Sequence, residues 1–313
     1  MLLIWMKQRL TGGAPVLDSS LLAAVAAVVR EGSFERAARV LGVTPSAVSQ
    51  RIKLIEERLG AVLVVRGQPC VATEVGARLA RHAELVGVLE AELRRELPAH
   101  AQQAVGAGPA TLRVAVNADT LGTWFVDAMA AFAREDDTLL DVAVDDQDHT
   151  ADWLRRGRVL AAVTSLAAPV QGCRSRRLGA LRYVATASPG FVARWFGDGV
   201  DAASLACAPS LLFDRKDGLQ AQWVRRLLRR DVALPAHGLP STHAFVEAAL
   251  GGVGWGMNPL ALVEGHLAAG RLVELVPGRG LDVPLYWQAV RLPVAALDRL
   301  GAAVHGAAAR ALV

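Results

Sequence analysis

The stretch "ERAARVLGVTPSAVSQRIKLIEERLGAVLVVRG", from Glu35 to Gly67, constrains this chain more than any other. A short helical pattern covers Phe34 to Leu41, with Phe34, Ala37, Ala38 and Leu41 on its apolar side, and breaks at Gly42. A second pattern begins at once, because Thr44 before Pro45 is the cap and first-turn signature of a helix start. From Ser46 to Arg58, the residues Val48, Ile52, Ile55 and Leu59 recur at helical spacing and form one stripe to bury. Ser46, Ser49, Gln50 and Lys53 fall away from that stripe, and Arg51 sits at its border. Two helices joined through a short turn containing glycine make a helix-turn-helix. The small Ala37 and Ala38 suit the close approach of crossed helices.

In such a motif the second helix enters the DNA major groove, and residues near its N-terminus reach base edges. Short hydroxyls and amides at Ser46, Ser49 and Gln50 suit base edges or phosphates. The segment "AVLVVRGQPCVAT" (Ala61 to Thr73) reads as two strands around an Arg-Gly-Gln-Pro turn. That is a wing, with Arg66 expected at its tip, within reach of phosphate or the minor groove. The expected DNA-binding set is therefore Thr44, Pro45, Ser46, Ser49, Gln50, Arg51, Lys53 and Arg66. The formal net charge of +4 is too small to argue for nucleic acid by itself. Its placement says more: from Arg36 to Ile55 there is no Asp or Glu, but there are Arg36, Arg39, Arg51 and Lys53. By pattern alone, a helical hairpin with a solvated polar face also fits.

"SFERAARVLGVTPSAVSQRIKLIEERLGAVLVVRG", followed by "ATEVG", resembles the N-terminal signature of the LysR-type transcriptional regulators. The residues that carry the resemblance are Ala37-Ala38, Leu41, Val43-Thr44, Ser46-Ala47-Val48-Ser49, Leu59-Gly60, Leu63, Arg66, Thr73 and Gly76. Ile55-Glu56 departs from the usual Leu-Glu and keeps the buried aliphatic. The resemblance implies a sequence-specific regulator of transcription gated by a small effector. Double-stranded DNA and RNA polymerase are then its macromolecular partners, and the assembly is a homodimer or homotetramer. A DNA-binding protein acting by occlusion or architecture is the alternative within the same class.

After the wing, Leu79, Ala83, Val86, Leu89 or Glu90, Leu93 and Leu97 approximate heptad spacing between Glu74 and Leu97. A helix packed on its own domain would show a similar stripe; the resemblance implies a dimerising linker. Pairing also makes physical sense, since two reading helices on two half-sites gain specificity. The stretch "PAHAQQAVGAGPA" (Pro98 to Ala110) has no acid or Arg and reads as a hinge.

From Thr111 onward, strand-like runs such as "TLRVAVNA", "LLDVAVDD" and "VLAAVTS" alternate with amphipathic helices, which predicts an α/β domain with largely parallel strands. The expected fold class is α/β overall. It comprises an extension (1–16), a winged helix-turn-helix (17–73), a linker helix (74–97), a hinge (98–110) and an effector domain (111–313). The resemblance implies that this effector domain consists of a pair of α/β lobes of the periplasmic-binding type around a ligand cleft. "VNADTLGTWF", "LGALRYVATASPGF", "STHAFVEAALGGVGWGMNP" and "LYWQAVR" resemble the ArgP/LysG branch, which implies a basic amino-acid effector, lysine or arginine, and control of amino-acid export or metabolism genes. A different small molecule remains the alternative.

The local chemistry agrees with a zwitterion carrying an extra positive charge. Asp119, Thr120 and Thr123 lie between a strand and a helix, where N–H groups and hydroxyls suit an α-carboxylate. Asp119, Asp145, Asp146 and Asp214 fall near strand ends, where α/β clefts place ligands, and Thr164 and Ser165 end the third strand. Each acid also fits a solvated loop, and each threonine a simple cap.

Other classes find no footing. Cys70, Cys173 and Cys207 show no CxxC or Cys/His cluster, so the expectation is three free thiols in a reducing cytosol and no metal. "GGVGWG" (Gly251 to Gly256) follows a helix and opens a strand, the wrong order for a dinucleotide loop. With seven scattered His and no nucleophile motif, no catalytic residue and no cofactor are expected. "MLLIWMKQRL" is too short in its apolar run for a signal peptide and reads as an extension, with Met6 an alternative start. No run long enough to span a membrane follows, and the expected location is the cytoplasm, which also disfavours a free-standing amino-acid-binding protein.

Overall fold

The computed structural model describes residues 18–97, 110–145 and 150–313. The extension, nearly all of the expected hinge, and Asp146 lie outside the described residues. The chain divides into two compact units between Ala110 and Thr111.

The first unit opens with α1 (Ser19–Glu31), capped by Asp18, whose carboxylate accepts from Ser20 N at 2.8 Å. Then come α2 (Phe34–Leu41), capped by Ser33, and α3 (Pro45–Leu59), capped by Thr44. Each of the three ends on a glycine in the left-handed region: Gly32, Gly42 and Gly60. Val25 and Val28 of α1, Ala37 and Ala38 of α2, and Val48, Ile52 and Ile55 of α3 form one buried core. Leu59, expected in that stripe, is 42% exposed, because the last turn of α3 runs past the core before Gly60 stops it. The wing is a small antiparallel pair, β1 (Val64–Val65) and β2 (Val71–Ala72).

Thr73 joins the wing to the next helix, α4 (Glu74–Glu96). Its hydroxyl donates to Val62 O at 2.8 Å and accepts from Gly76 N at 3.1 Å, while its own N–H donates to Leu63 O at 2.9 Å. The helix therefore starts pressed against the wing strand, and a Cβ on Gly76 would overlap the Leu63 carbonyl. Further along α4, Leu79, Ala80 and Ala83 pack on the core of this unit. Val86 is half-buried, whereas Leu89 and Leu93 are 46% and 51% exposed. The two readings of the apolar stripe thus divide along the helix: its first turns pack on their own domain, and its later leucines face outward.

The second unit begins with β3 (Thr111–Val116), α5 (Ala118–Thr120), a π-helical turn (Leu121–Phe125) and α6 (Val126–Ala133). Next are β4 (Leu139–Val144), α7 (Thr150–Arg155) and β5 (Ala161–Thr164). The long β6 (Cys173–Ala187) leads to α8 (Pro189–Trp195), α9 (Ala202–Cys207), β7 (Ser210–Leu212) and α10 (Leu219–Leu228). After β8 (Ala236–Gly238) come α11 (Thr242–Leu250), β9 (Gly256–Pro259), α12 (Leu260–Ala268) and β10 (Val273–Glu274). The chain returns through β11 (Leu281–Val290) and ends in α13 (Ala295–Ala311).

The main sheet runs β10-β6-β11-β5-β3-β4, and β9 also pairs with β6. As the alternating pattern predicts, β3 pairs parallel with β4 and β5, and β7 parallel with β8. The centre is different: β6 and β11 are antiparallel along nearly their whole length. The first half of β6 and the second half of β11 belong to the lobe with β3, β4 and β5. Their other halves join β9 and β10, and β7 attaches beside them through the Ser210–Trp255 bridge. The strands cross between lobes at a register shift between Leu285 and Tyr286. A largely parallel sheet is thus corrected to a mixed one, since two strands shared by two lobes must run in opposite senses. Beyond the shift, Arg182 and Asp282 pair directly across the strands with two bonds of 2.9 and 2.8 Å. That contact holds the Asp282 carboxyl below its ordinary pKa.

Gly76→Ala should lower the stability of the first unit by about 2–3 kcal/mol, because the new methyl group meets backbone rather than a movable side chain. Urea unfolding followed by far-UV circular dichroism checks this. An unchanged midpoint would mean that α4 does not press on the wing as described.

Candidate DNA-reading face and ligand cleft

On α3, Thr44 Oγ1 accepts from Ala47 N at 3.2 Å and Pro45 occupies the first position, so the helix N-terminus is fixed from both sides. Ser46, Gln50 and Lys53 are exposed, and Ser49 and Arg51 are half-buried. Lys53 makes a loose i,i+4 pair with Glu57 at 3.7 Å, which leaves its side chain 76% exposed. Arg66 opens the turn between the wing strands, and its side chain folds back toward the helices. It follows β1 directly, its guanidinium lies 5.0 Å over the Phe34 ring, and its Nη2 donates to Ser49 Oγ at 3.1 Å. The cation–π contact with Phe34 ties the guanidinium to the first residue of α2. Arg36, Arg39 and Arg66 line one groove with the turn Gly67–Cys70. In the sequence Arg36 and Arg39 are legible only as charge, not as members of a surface.

In the second unit an open cleft lies at the C-terminal ends of the strands, where α/β folds place ligands. Its polar lining is Asn117, Asp119, Asp145, Asp217, Thr242 and Asn258, and its apolar lining includes Phe213, Phe245 and Met257. Asn117 caps the helix start, its Oδ1 accepting from Thr120 N at 2.8 Å. Asp119 Oδ2 accepts from Tyr183 Oη at 2.8 Å, and its Oδ1 from Thr242 Oγ1 at 2.9 Å. Two hydroxyls, one from β6 and one from the start of α11, thereby aim this carboxylate. Asp145 Oδ2 accepts from Trp153 Nε1 at 2.8 Å. Asp217 accepts from Phe213 N and Leu219 N, each at 3.0 Å.

Asn258 is fully buried; its Nδ2 donates to Thr186 Oγ1 at 2.9 Å, and its Oδ1 has no protein partner among the described residues. The glycines of "GGVGWG" also find their reason here. A Cβ on Gly256 would overlap the ring of Phe245, so the glycine lets β9 lie directly against a cleft-lining aromatic.

Known proteins share both halves of this geometry. Residues 19–77 match the profile of the bacterial regulatory helix-turn-helix proteins of the lysR family, and residues 106–309 match the LysR substrate binding domain. The chain belongs to the LysR family. It is a LysR-type transcriptional regulator. It is 46% identical over 294 residues to the HTH-type transcriptional regulator LysG of Mycobacterium tuberculosis, covering 94% of each chain. A crystal structure of ArgP from Mycobacterium tuberculosis matches with a TM-score of 0.78 and 45% identity, over 95% of this chain and 99% of the other. Full-length LysG from Corynebacterium glutamicum with bound effector Arg matches with a TM-score of 0.67 and 36% identity, again over 95% and 99%.

Within this LysR-family chain the expected effector residues separate. Asp119 and Asp145 line the cleft. Thr120 does not: its side chain is fully buried beneath the helix start. Thr123 spends its hydroxyl on Asp119 O at 2.6 Å, an i−4 bond within the helix. Thr164 is buried and its Oγ1 accepts from Leu166 N at 3.2 Å; neither it nor Ser165 is in the cleft lining. Asp214 closes a turn by accepting from Lys216 N and Asp217 N, while Asp217, three residues on, supplies the lining carboxylate. Both acids sit in the same turn, and no pattern in "FDRKDG" tells which one faces inward. Sequence reasoning misses Tyr183, Thr242 and Asn258 because only tertiary folding brings them to Asp119 or the cleft, and it misses Asn117 although this residue stands two positions before Asp119 as the cap of the same helix start.

Ser46→Ala with Ser49→Ala should weaken binding to a duplex selected from random sequences by about 1–3 kcal/mol per lost base contact. Lys53→Met should instead reduce the slope of log K against log salt by about 1 with little change in sequence preference. Unaltered sequence preference in the double serine variant would remove base reading from α3.

Proposed function

We propose that this LysR-family regulator senses a basic amino acid, arginine or lysine, in the acidic cleft and adjusts transcription of amino-acid export or metabolism genes. The observation that carries the reading is the convergence of Asp119, Asp145 and Asp217 on one cleft, beside the amides of Asn117 and Asn258. An ammonium or guanidinium offers only donors, so a site for it must be built from acceptors. The arginine held by the related Corynebacterium glutamicum LysG supports the same ligand class. The N–H groups at the helix start, around Ala118 and Asp119, suit the α-carboxylate.

On the DNA side, Ser46, Ser49 and Gln50 read bases from the exposed face of α3. Thr44 and Pro45 set the helix start, and Arg51, Lys53 and Arg66 hold phosphates, with Arg36 and Arg39 extending the basic surface. The working form is a homo-oligomer in the cytoplasm, paired through the outward leucines of α4, and it acts by binding rather than catalysis. No helix among the described residues is long and apolar enough to cross a membrane.

Thermal melting with each of the twenty amino acids tests the ligand. A selective ligand at about 100 times its Kd stabilises the folded state by about 2.7 kcal/mol, so arginine or lysine should raise Tm where neutral amino acids do not. Asp119→Asn should cost about 1.5–3 kcal/mol of that binding, measured by calorimetry. Equal stabilisation by neutral amino acids would sink the basic-ligand reading.

Assembly is tested separately. Val86→Glu with Leu93→Glu should push unpaired carboxylates into the helix pair and shift the particle to a smaller oligomer in sedimentation analysis. An unchanged oligomer would show that α4 is not the seam.

A further inference from the structure

The cleft carboxylates meet a cation that the chain itself supplies. Lys216 lies in the loop between β7 and α10, and its Nζ stands 3.7 Å from Asp145 Oδ1. Asp145 follows β4 in one lobe and Lys216 follows β7 in the other, so the ion pair reaches across the cleft. Both ends are held in place. On the loop side, Asp214 Oδ1 accepts from Lys216 N at 2.7 Å and from Asp217 N at 3.1 Å, and Asp217 caps Phe213 N and Leu219 N. The loop that carries Lys216 is therefore pinned by two carboxylates, with Asp214 bonded to the Lys216 N–H itself. On the other side, the Trp153 indole fixes the Asp145 carboxylate through a 2.8 Å bond to Oδ2, while the Lys216 ammonium stands by Oδ1.

The pair itself is loose. A separation of 3.7 Å is beyond hydrogen-bond range, and the side chains are 50% and 29% exposed. Such pairs are worth little and exchange readily. Asp145 is thus a well-oriented acceptor occupied by a weakly held internal ammonium.

We propose that Lys216 is an affinity-setting residue: its ammonium competes with the cationic group of the effector for Asp145. This rests on the basic-amino-acid reading of the cleft. An entering arginine or lysine must displace Lys216 before it pairs with Asp145, so the observed affinity is the intrinsic one reduced by the fraction of molecules in which the internal pair is open. The regulator is thereby set to respond at a higher effector concentration than the bare acidic cleft would. Lys216 stands in for the ligand in its absence, and the response threshold follows from how well it does so.

Calorimetry on the full chain decides the matter, with wild type, Lys216→Met and Lys216→Arg titrated with arginine, lysine and agmatine. Agmatine keeps the guanidinium and lacks the carboxylate. Lys216→Met should bind arginine and agmatine about two- to fivefold more tightly than wild type, and Lys216→Arg should stay close to wild type. A merely structural role for Lys216 would not improve binding. Arginine binding that is unchanged or weakened in Lys216→Met overturns the proposal. If arginine weakens while agmatine does not, Lys216 belongs to the ligand's carboxylate instead. A wild-type protein that binds neither arginine nor lysine removes the basic-ligand reading and this proposal together, whereas wild-type binding without a gain in Lys216→Met removes the competitor alone.

Discussion

β6 and β11 are shared by both lobes of the effector unit, and the residues that face the cleft take their places from the register of that antiparallel pair. On one side of the shift at Leu285/Tyr286 the two strands extend the sheet of β5, β3 and β4. On the other they support β9 and β10. A bulge adds bend and twist at one point without breaking the ladder on either side. The Arg182–Asp282 pair sits just past this point, adjacent to Tyr183. Tyr183 in turn carries the hydroxyl that aims Asp119. A one-residue slip of β6 against β11 would turn Tyr183 to the opposite face and leave Asp119 without that donor. The chemistry of the cleft is in this sense a property of strand pairing.

The DNA-reading unit relies on a different device. Its helices are short, and their ends are specified by side-chain caps at the start and left-handed glycines at the finish. Such local signals fix where α3 begins, and thereby which residues lie exposed at its first turn. Arg66 then ties the wing to that turn through Phe34 and Ser49. The wing is joined to α2 by a cation–π contact and to the reading helix by one hydrogen bond, so Ser49 serves the architecture as well as the surface.

How much of this is legible in the sequence follows from the range of the signals. The cap at Thr44, and the buried Val48, Ile52 and Ile55, are written within a few residues of where they act. These features can be read directly, including the bounds of α2. Leu59 is misplaced by the same reasoning because helical spacing does not tell where the core beneath a helix ends. In the effector unit the strands are legible and their pairing is not, because alternation along the chain cannot reveal that two strands serve two lobes. Thr120 and Thr123 have the right chemistry for a ligand and lie beside Asp119, yet one faces the interior and the other bonds its own helix. Asp119 and Asp145 are legible as acids at strand ends; their partners Tyr183, Thr242 and Trp153 come from other elements and leave no mark near them.

The helix that begins at Ala118 contains a π-helical turn at Leu121–Phe125, which follows Asp119 and ends on the buried Trp124 and Phe125. A π turn accommodates one residue more than the α-helical frame on either side of it. The two aromatic anchors set the rotation of the helix about its axis, and the extra residue sets the rotation of Asp119 relative to those anchors. In an unbroken α-helix, removal of one residue would swing Asp119 by about 100° around the axis. The bearing of this carboxylate is therefore encoded by a count of residues rather than by their kinds. A lineage altering its ligand has two separate routes here: replacing the acid, or changing the length of the turn that points it.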